Sequence, residues 1–237
     1  NNTAHSQGIY GMWIFEEWSA SVDGSCFDDL TGGESDTSNW GQYMLEDFVA
    51  WGCERGVEMT LGGGHNLNRF LCANNEISQI AVMETTGPKH DKDTGFKILD
   101  SIVAGYTNAW PAGSELHGDI GLETPWKKST FYVDGIAFHN FGTNSPHTPM
   151  GQSPVAVDPC YSSYPFDCVN TQFFENSYFG NDVPAKIRFE WEHELQLIDM
   201  DGTFTGNENI GAANPSQYIV IRKTDIVDPS ECYDETA

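Results

Sequence analysis

The chain has 237 residues, enough for one domain of sandwich or barrel size that buries about 70–75% of its unfolded surface, and 35 acidic against 11 basic side chains leave a net charge of −24. That charge opposes nucleic acid, anionic lipid and polyanionic substrates and favours neutral or cationic partners. Hydrophobic content of 39% with 24 glycines describes a turn-rich globular chain, and no apolar run approaches the roughly 18 residues of a helical membrane span, so no membrane partner is expected.

The N-terminus lacks the charged and apolar regions of a leader, which predicts a mature form. Residues 1–10 are polar and read as a loose arm. Gly11–Trp18 is an aromatic strand candidate, the Gly-, Ser- and Asp-rich segment from Ser19 to Asn39 reads as a long loop, and Gln42–Trp51 reads as a helical turn. Gly56–Leu61 alternates as a strand does before the Gly62-Gly63-Gly64 break. No lysine follows those glycines in phosphate-loop fashion, which argues against nucleotide binding.

The next stretch, Asn75–Gly87, reads as a buried strand ending in Glu84, with β-branched Ile77, Ile80 and Val82 among small or polar neighbours. Asp91-x-Asp93-x-Gly95 has part of a calcium-loop spacing, so Asp91 and Asp93 are the metal candidates; calcium there would be structural, and no cofactor is required. Phe96–Val103, Glu115–Glu123, Ser129–Phe138, Gln172–Tyr178, Lys186–Ile198 and Gln217–Ile221 supply further strands. Helical periodicity is scarce, and no internal repeat or linker is legible. Many short strands without βαβ alternation predict one all-β domain over residues 1–237.

Six cysteines, Cys26, Cys53, Cys72, Cys160, Cys168 and Cys232, form an even set without a C-x-x-C pair. They point to disulfides and secretion, with Cys160–Cys168 the favoured local bridge.

Gln79-Ile80-Ala81-Val82-Met83-Glu84 resembles the strand on which glycoside hydrolase family 16, the laminarinases and lichenases, carries Glu-x-Asp-x-x-Glu. Downstream, Thr124–Gly135 is similar to that family's Trp-Thr-Pro-x-x-Ile-x-Phe-Tyr-Val-Asp-Gly segment, and Tyr218–Arg222 to its closing strand. The resemblance implies a concanavalin-like jelly-roll sandwich of two antiparallel sheets and a secreted protein that acts on, or binds, a neutral polysaccharide of the β-glucan type. It also implies Glu84 as proton donor. The sequence departs from the pattern at Gln79, where the nucleophile belongs, and at Ala81, where the Asp belongs.

Retaining hydrolysis needs two carboxyl groups about 5–5.5 Å apart, and a neutral amide cannot be the nucleophile. The replacement candidates are Glu190, Glu192 and Glu194, which period-2 geometry aims at one strand face, a cleft wall or a solvated edge. Trp40, Trp51, Trp110, Trp126 and Trp191 could stack on sugar rings; Trp110, in a Gly/Pro-rich loop, and Trp126 are the substrate-binding choices together with Gln79. Two other readings stand beside hydrolysis. One is a non-catalytic glycan-binding or extracellular matrix protein; the other is a polysaccharide lyase, in which the Gln79 amide would neutralise a uronate. Oligomeric state is not legible.

Overall fold

A computed structural model of the chain describes residues 2–14, 43–60, 65–82, 96–105, 120–124, 130–141, 155–157, 171–181, 183, 186–189, 196–204 and 206. These residues build six successive coils of three strands each. The first coil is β1 (Asn2–His5), β2 (Tyr10–Ile14) and β3 (Tyr43–Glu46); the second is β4 (Phe48–Trp51), β5 (Arg55–Met59) and β6 (His65–Asn68). The third and fourth are β7 (Leu71–Ala73), β8 (Ser78–Val82), β9 (Phe96–Leu99) and β10 (Ile102–Ala104), β11 (Ile120–Thr124), β12 (Thr130–Asp134). The last two are β13 (Ala137–His139), β14 (Val155–Val157), β15 (Thr171–Glu175) and β16 (Tyr178–Phe179), β17 (Ile187–Phe189), β18 (Gln196–Asp199).

Each strand pairs with the strand one coil later, so three six-stranded sheets run the length of the stack: sheet 1 is β1-β4-β7-β10-β13-β16, sheet 2 is β2-β5-β8-β11-β14-β17 and sheet 3 is β3-β6-β9-β12-β15-β18. The pairing is parallel throughout. With strands about 4.8 Å apart, this is a three-sided parallel β-helix. The all-β expectation therefore holds, and among the described residues no helix occurs. The antiparallel jelly roll does not: no described strand pair is antiparallel.

The corners explain the difference. Leaving sheet 3, the chain places one residue in the left-handed region in each of the first five coils: Asp47 (φ 57), Arg69 (φ 57), Asp100 (φ 43), Gly135 (φ 77) and Asn176 (φ 50). Leaving sheet 1, it does so at Ser6, Gly52, Asn74 and Asn140. Gly, Asn and Asp bear this conformation most readily; Arg69 is held there with its guanidinium 2.7 Å from Asp47 and 3.2 Å from Glu46. One such residue turns the chain from one face to the next without reversing it, whereas a hairpin needs a tight reversal between paired strands.

The corner amides extend the ladder, since Asp47 N–H donates to Asn68 O, Arg69 N–H to Leu99 O and Asp100 N–H to Asp134 O. Asp134-Gly135, which in a sandwich would close a hairpin, is thus a corner between β12 and β13. The expected loose arm contains β1 and the start of β2, and the expected helical turn is β3, the Asp47 corner and β4. Backbone bonds to the neighbouring coil hold both.

One core runs inside all three sheets. Along sheet 1 the inward column is Ala4, Ala50, Cys72, Val103, Phe138 and Phe179, small at one end and aromatic at the other. Phe138 stacks on Phe179 at 5.0 Å and meets Phe141 at 6.4 Å. Sheet 2 supplies Val57, Ile80 and Leu122, and sheet 3 supplies Leu67, Ile98, Val133 and Phe174, all buried. Burying each such side chain contributes about 1.5–3 kcal/mol. Cys53 and Cys72 are free, buried thiols, and burial, then the proximity of Cys53, pushes the Cys72 thiol well above its ordinary range. Cys26, Cys160, Cys168 and Cys232 lie outside the described residues.

Candidate functional site

Of the residues that the sequence nominates for a site, the stacking candidate Trp51 and Gln79 lie among those described, and Gln79 is fully buried. The Gln79 amide closes the corner between β7 and β8 in the third coil. Asn75 donates to Gln79 Oε1 from its side-chain nitrogen (2.8 Å) and its backbone N–H (3.2 Å), and Gln79 Nε2 donates to Asn75 O (3.3 Å). Asn75 Oδ1 in turn accepts from Cys53 N–H at 3.1 Å. Gly56 makes room for this knot: a Cβ there would stand 2.5 Å from Asn75 Nδ2 and 2.4 Å from Gln79 O. An amide serves here because it both donates and accepts. Glu84, Glu190, Glu192, Glu194, Trp110, Trp126, Asp91 and Asp93 lie outside the described residues, as does the Tyr218–Arg222 segment.

Two outer faces carry chemistry. On sheet 2, Trp13, Glu58, Ala81 and Glu123 form one column across four coils. Arg55 joins its two carboxylates: Arg55 Nε lies 3.3 Å from Glu58 Oε2, and Arg55 Nη1 pairs with Glu123 Oε2 and reaches Ser78 Oγ at 3.4 Å. Glu58 and Glu123 are both buried, and β8 and β11 are buried on both faces. Burial, then the charge of Glu58 and its hydrogen bond, raises the Tyr10 phenol above its ordinary value. The signal for this cluster is a lone Glu inside each of two apolar strands with an Arg three residues before the first.

On sheet 1 the opposite holds. The column Val49, Leu71, Ile102, Ala137 and Tyr178 faces outward, beside a second column of His5, Trp51, Ala73, Ala104 and His139. Trp51 is 40% exposed, Leu71 41%, Ile102 44% and Tyr178 56%. His5 stacks on Trp51 at 4.7 Å with 11° between the ring planes, and His139 meets Tyr178 at 5.5 Å. The six strands of this sheet contain not one Asp, Glu, Lys or Arg, in a chain that carries 35 acids. From Trp51 to Tyr178 the stripe spans four coil spacings, roughly 19 Å. Sequence reading includes Trp51 among the stacking candidates but not its neighbours, because a three-residue strand such as Leu71–Ala73 has too little alternation to reveal a face.

Fold and face together define a parallel β-helix with one uncharged, exposed side. The chain is 28% identical over 242 residues to fibrocystin-L of Homo sapiens, an alignment that takes in 99% of this chain and 5% of that protein. It is 27% identical over 243 residues to fibrocystin-L of Mus musculus, with 100% of this chain and 5% of that protein covered. The chain thus spans about one-twentieth of the length of these relatives. No family model matches the chain, and no solved structure does.

Proposed function

We propose that the chain is a glycan-binding β-helix that lays a neutral polysaccharide, of the β-glucan type, along the outer face of sheet 1 in an extracellular setting. The carrying observation is the absence of every charged side chain from the strands of that face while aromatic rings, Trp51 and Tyr178, stand toward its two ends. A pyranose presents an apolar C–H side and a polar hydroxyl rim; the rings and aliphatic rungs suit the first, and His5 and His139 suit the second. A net charge of −24 does not repel a neutral chain, whereas it disfavours a polyuronate and with it the lyase reading.

Glycoside hydrolysis is the second reading, favoured by the two carboxylates, Glu58 and Glu123, on one outer column. Against it, both are engaged by Arg55 and enclosed; binding without cleavage is the better fit. One panel of insoluble neutral polysaccharides tests both. The wild type is expected to be retained and to release no reducing sugar, and Trp51→Ala with Tyr178→Ala to lose retention while remaining folded. Absence of retention on every glycan sinks the proposal, and release of sugar shifts it to hydrolysis.

A further inference from the structure

The two outward columns of sheet 1 differ in height. Val49, Leu71 and Ile102 form an aliphatic ridge that runs on through Ala137 to Tyr178, whereas the second column carries the rings of His5 and Trp51 at one end, that of His139 at the other, and two methyl groups, Ala73 and Ala104, between them. Ala73 and Ala104 therefore floor a slot. From Trp51 to His139 it spans three coil spacings, roughly 14 Å, and the ridge of Leu71 and Ile102 stands two residues away across the strand, roughly 7 Å. Leu71, Ile102 and Trp51 are exposed, and Ala73 and Ala104 are half-buried, so floor and walls all offer surface to a ligand.

Trp51 is an end wall of this slot rather than part of its floor. His5 and Trp51 are register partners in adjacent coils, and their ring centroids lie 4.7 Å apart with 11° between the planes, a separation close to the coil spacing of roughly 4.8 Å. The indole thus stands across the stack axis, one face covered by the imidazole and the other looking down the stack over Ala73. His139, 5.5 Å from Tyr178, stands at the far end with two ring nitrogens that donate or accept hydrogen bonds. A chain that runs the length of the stack does not pass straight through a slot stopped by a ring at each end, but a short appendage enters it from above.

We infer that this slot is a subsite for a one-sugar side branch, so that sheet 1 recognises a branched neutral polysaccharide: the main chain lies on the ridge, and one branch pyranose stands on edge between Trp51 and His139. The inference rests on the glycan-binding reading. A pyranose turned on edge sets its C–H side against the free indole face and its apolar edge on the two alanine methyl groups, with rim hydroxyls toward His139. Three coil spacings leave room for one such ring or two. The strands around the slot hold no charged side chain, which suits a neutral branch and not an acidic one.

Calorimetric titration of the full chain with two gluco-oligosaccharides of equal unit count, one linear and one carrying a single-glucose branch on the same β-linked main chain, tests this. The branched ligand is expected to bind at least about tenfold more tightly. Ala73→Leu and Ala104→Leu, each of which fills the slot from an accessible position, should bring the two affinities together while the thermal melt shows a folded chain. Equal binding of the two ligands to the wild type, or a preference that survives in a folded slot-filled variant, overturns the branch inference and leaves the glycan-binding reading standing. Binding of neither ligand overturns both.

Discussion

The outer sides of sheets 1 and 2 share the same coils and the same rung spacing, yet they have opposite characters. Sheet 2 turns two carboxylates outward, buries them and pairs them with a half-buried guanidinium; sheet 1 turns Leu71, Ile102 and Trp51 outward and leaves them exposed. Hydrophobicity alone would predict the reverse. A buried charge is tolerated when paired, and an exposed apolar stripe is tolerated when it has a partner to meet. The contrast teaches that, of these two faces, the charged one is closed by its own ion pairs and the uncharged one stands open to solvent.

The largest blow to that division should come from Arg55→Met, which strands Glu58 and Glu123 in a buried site. We expect a loss of about 3–5 kcal/mol in urea denaturation, largely restored when Glu58→Gln and Glu123→Gln are added. A loss well under about 1 kcal/mol would mean that sheet 2 behaves as a solvated surface and that the contrast is false. Next in size is Gln79→Glu, which removes the donor to Asn75 O and sets a carboxylate against it. A cost of about 1–3 kcal/mol or more is expected, read as a drop of the melting temperature. An unchanged melt would free this position from its corner role and return it to the list of candidates for substrate contact. The smallest effect on stability belongs to Ile102→Lys on sheet 1: within about 0.5 kcal/mol of wild type, with retention on neutral glycan reduced. Unfolding by this substitution would show that the face is packed rather than open.

How much of this the sequence discloses depends on the level. The all-β class is legible, because strand-forming runs end at Gly, Asn or Asp at every left-handed corner but those of Ser6 and Arg69, and Gly56–Leu61 and Ser129–Phe138 fall on β5 and on β12 with β13. Parallel stacking is not. From β1 onward, successive sheet 1 strands begin after intervals of 46, 23, 31, 35 and 41 residues, so the repeat is constant in space and variable in number, and no fixed period survives to be read. β1 itself, Asn2–His5, is too polar to announce a strand; its ladder bonds to β4 make it one. Gln79 stands out in the sequence by its place in a hydrolase-like motif, while its partner Asn75, four residues earlier, carries the reason for its presence. Glu58 and Glu123 are invisible as a pair, since 64 residues of chain separate two neighbours of Ala81.

The corner amides that bond one coil to the next have a mechanical consequence. Through its backbone bonds each described coil is tied to the one before and the one after, with the Arg55–Glu123 ion pair reaching across the third coil, so the stack resists load as a zipper does, interface by interface, with stability that accumulates along a line. Tension on the two ends of the chain would peel coils singly rather than break the domain at once. The step sizes would not be equal, because the inward column of sheet 1 is built of Ala4 and Ala50 in the first two coils and of Phe138 and Phe179 in the last two.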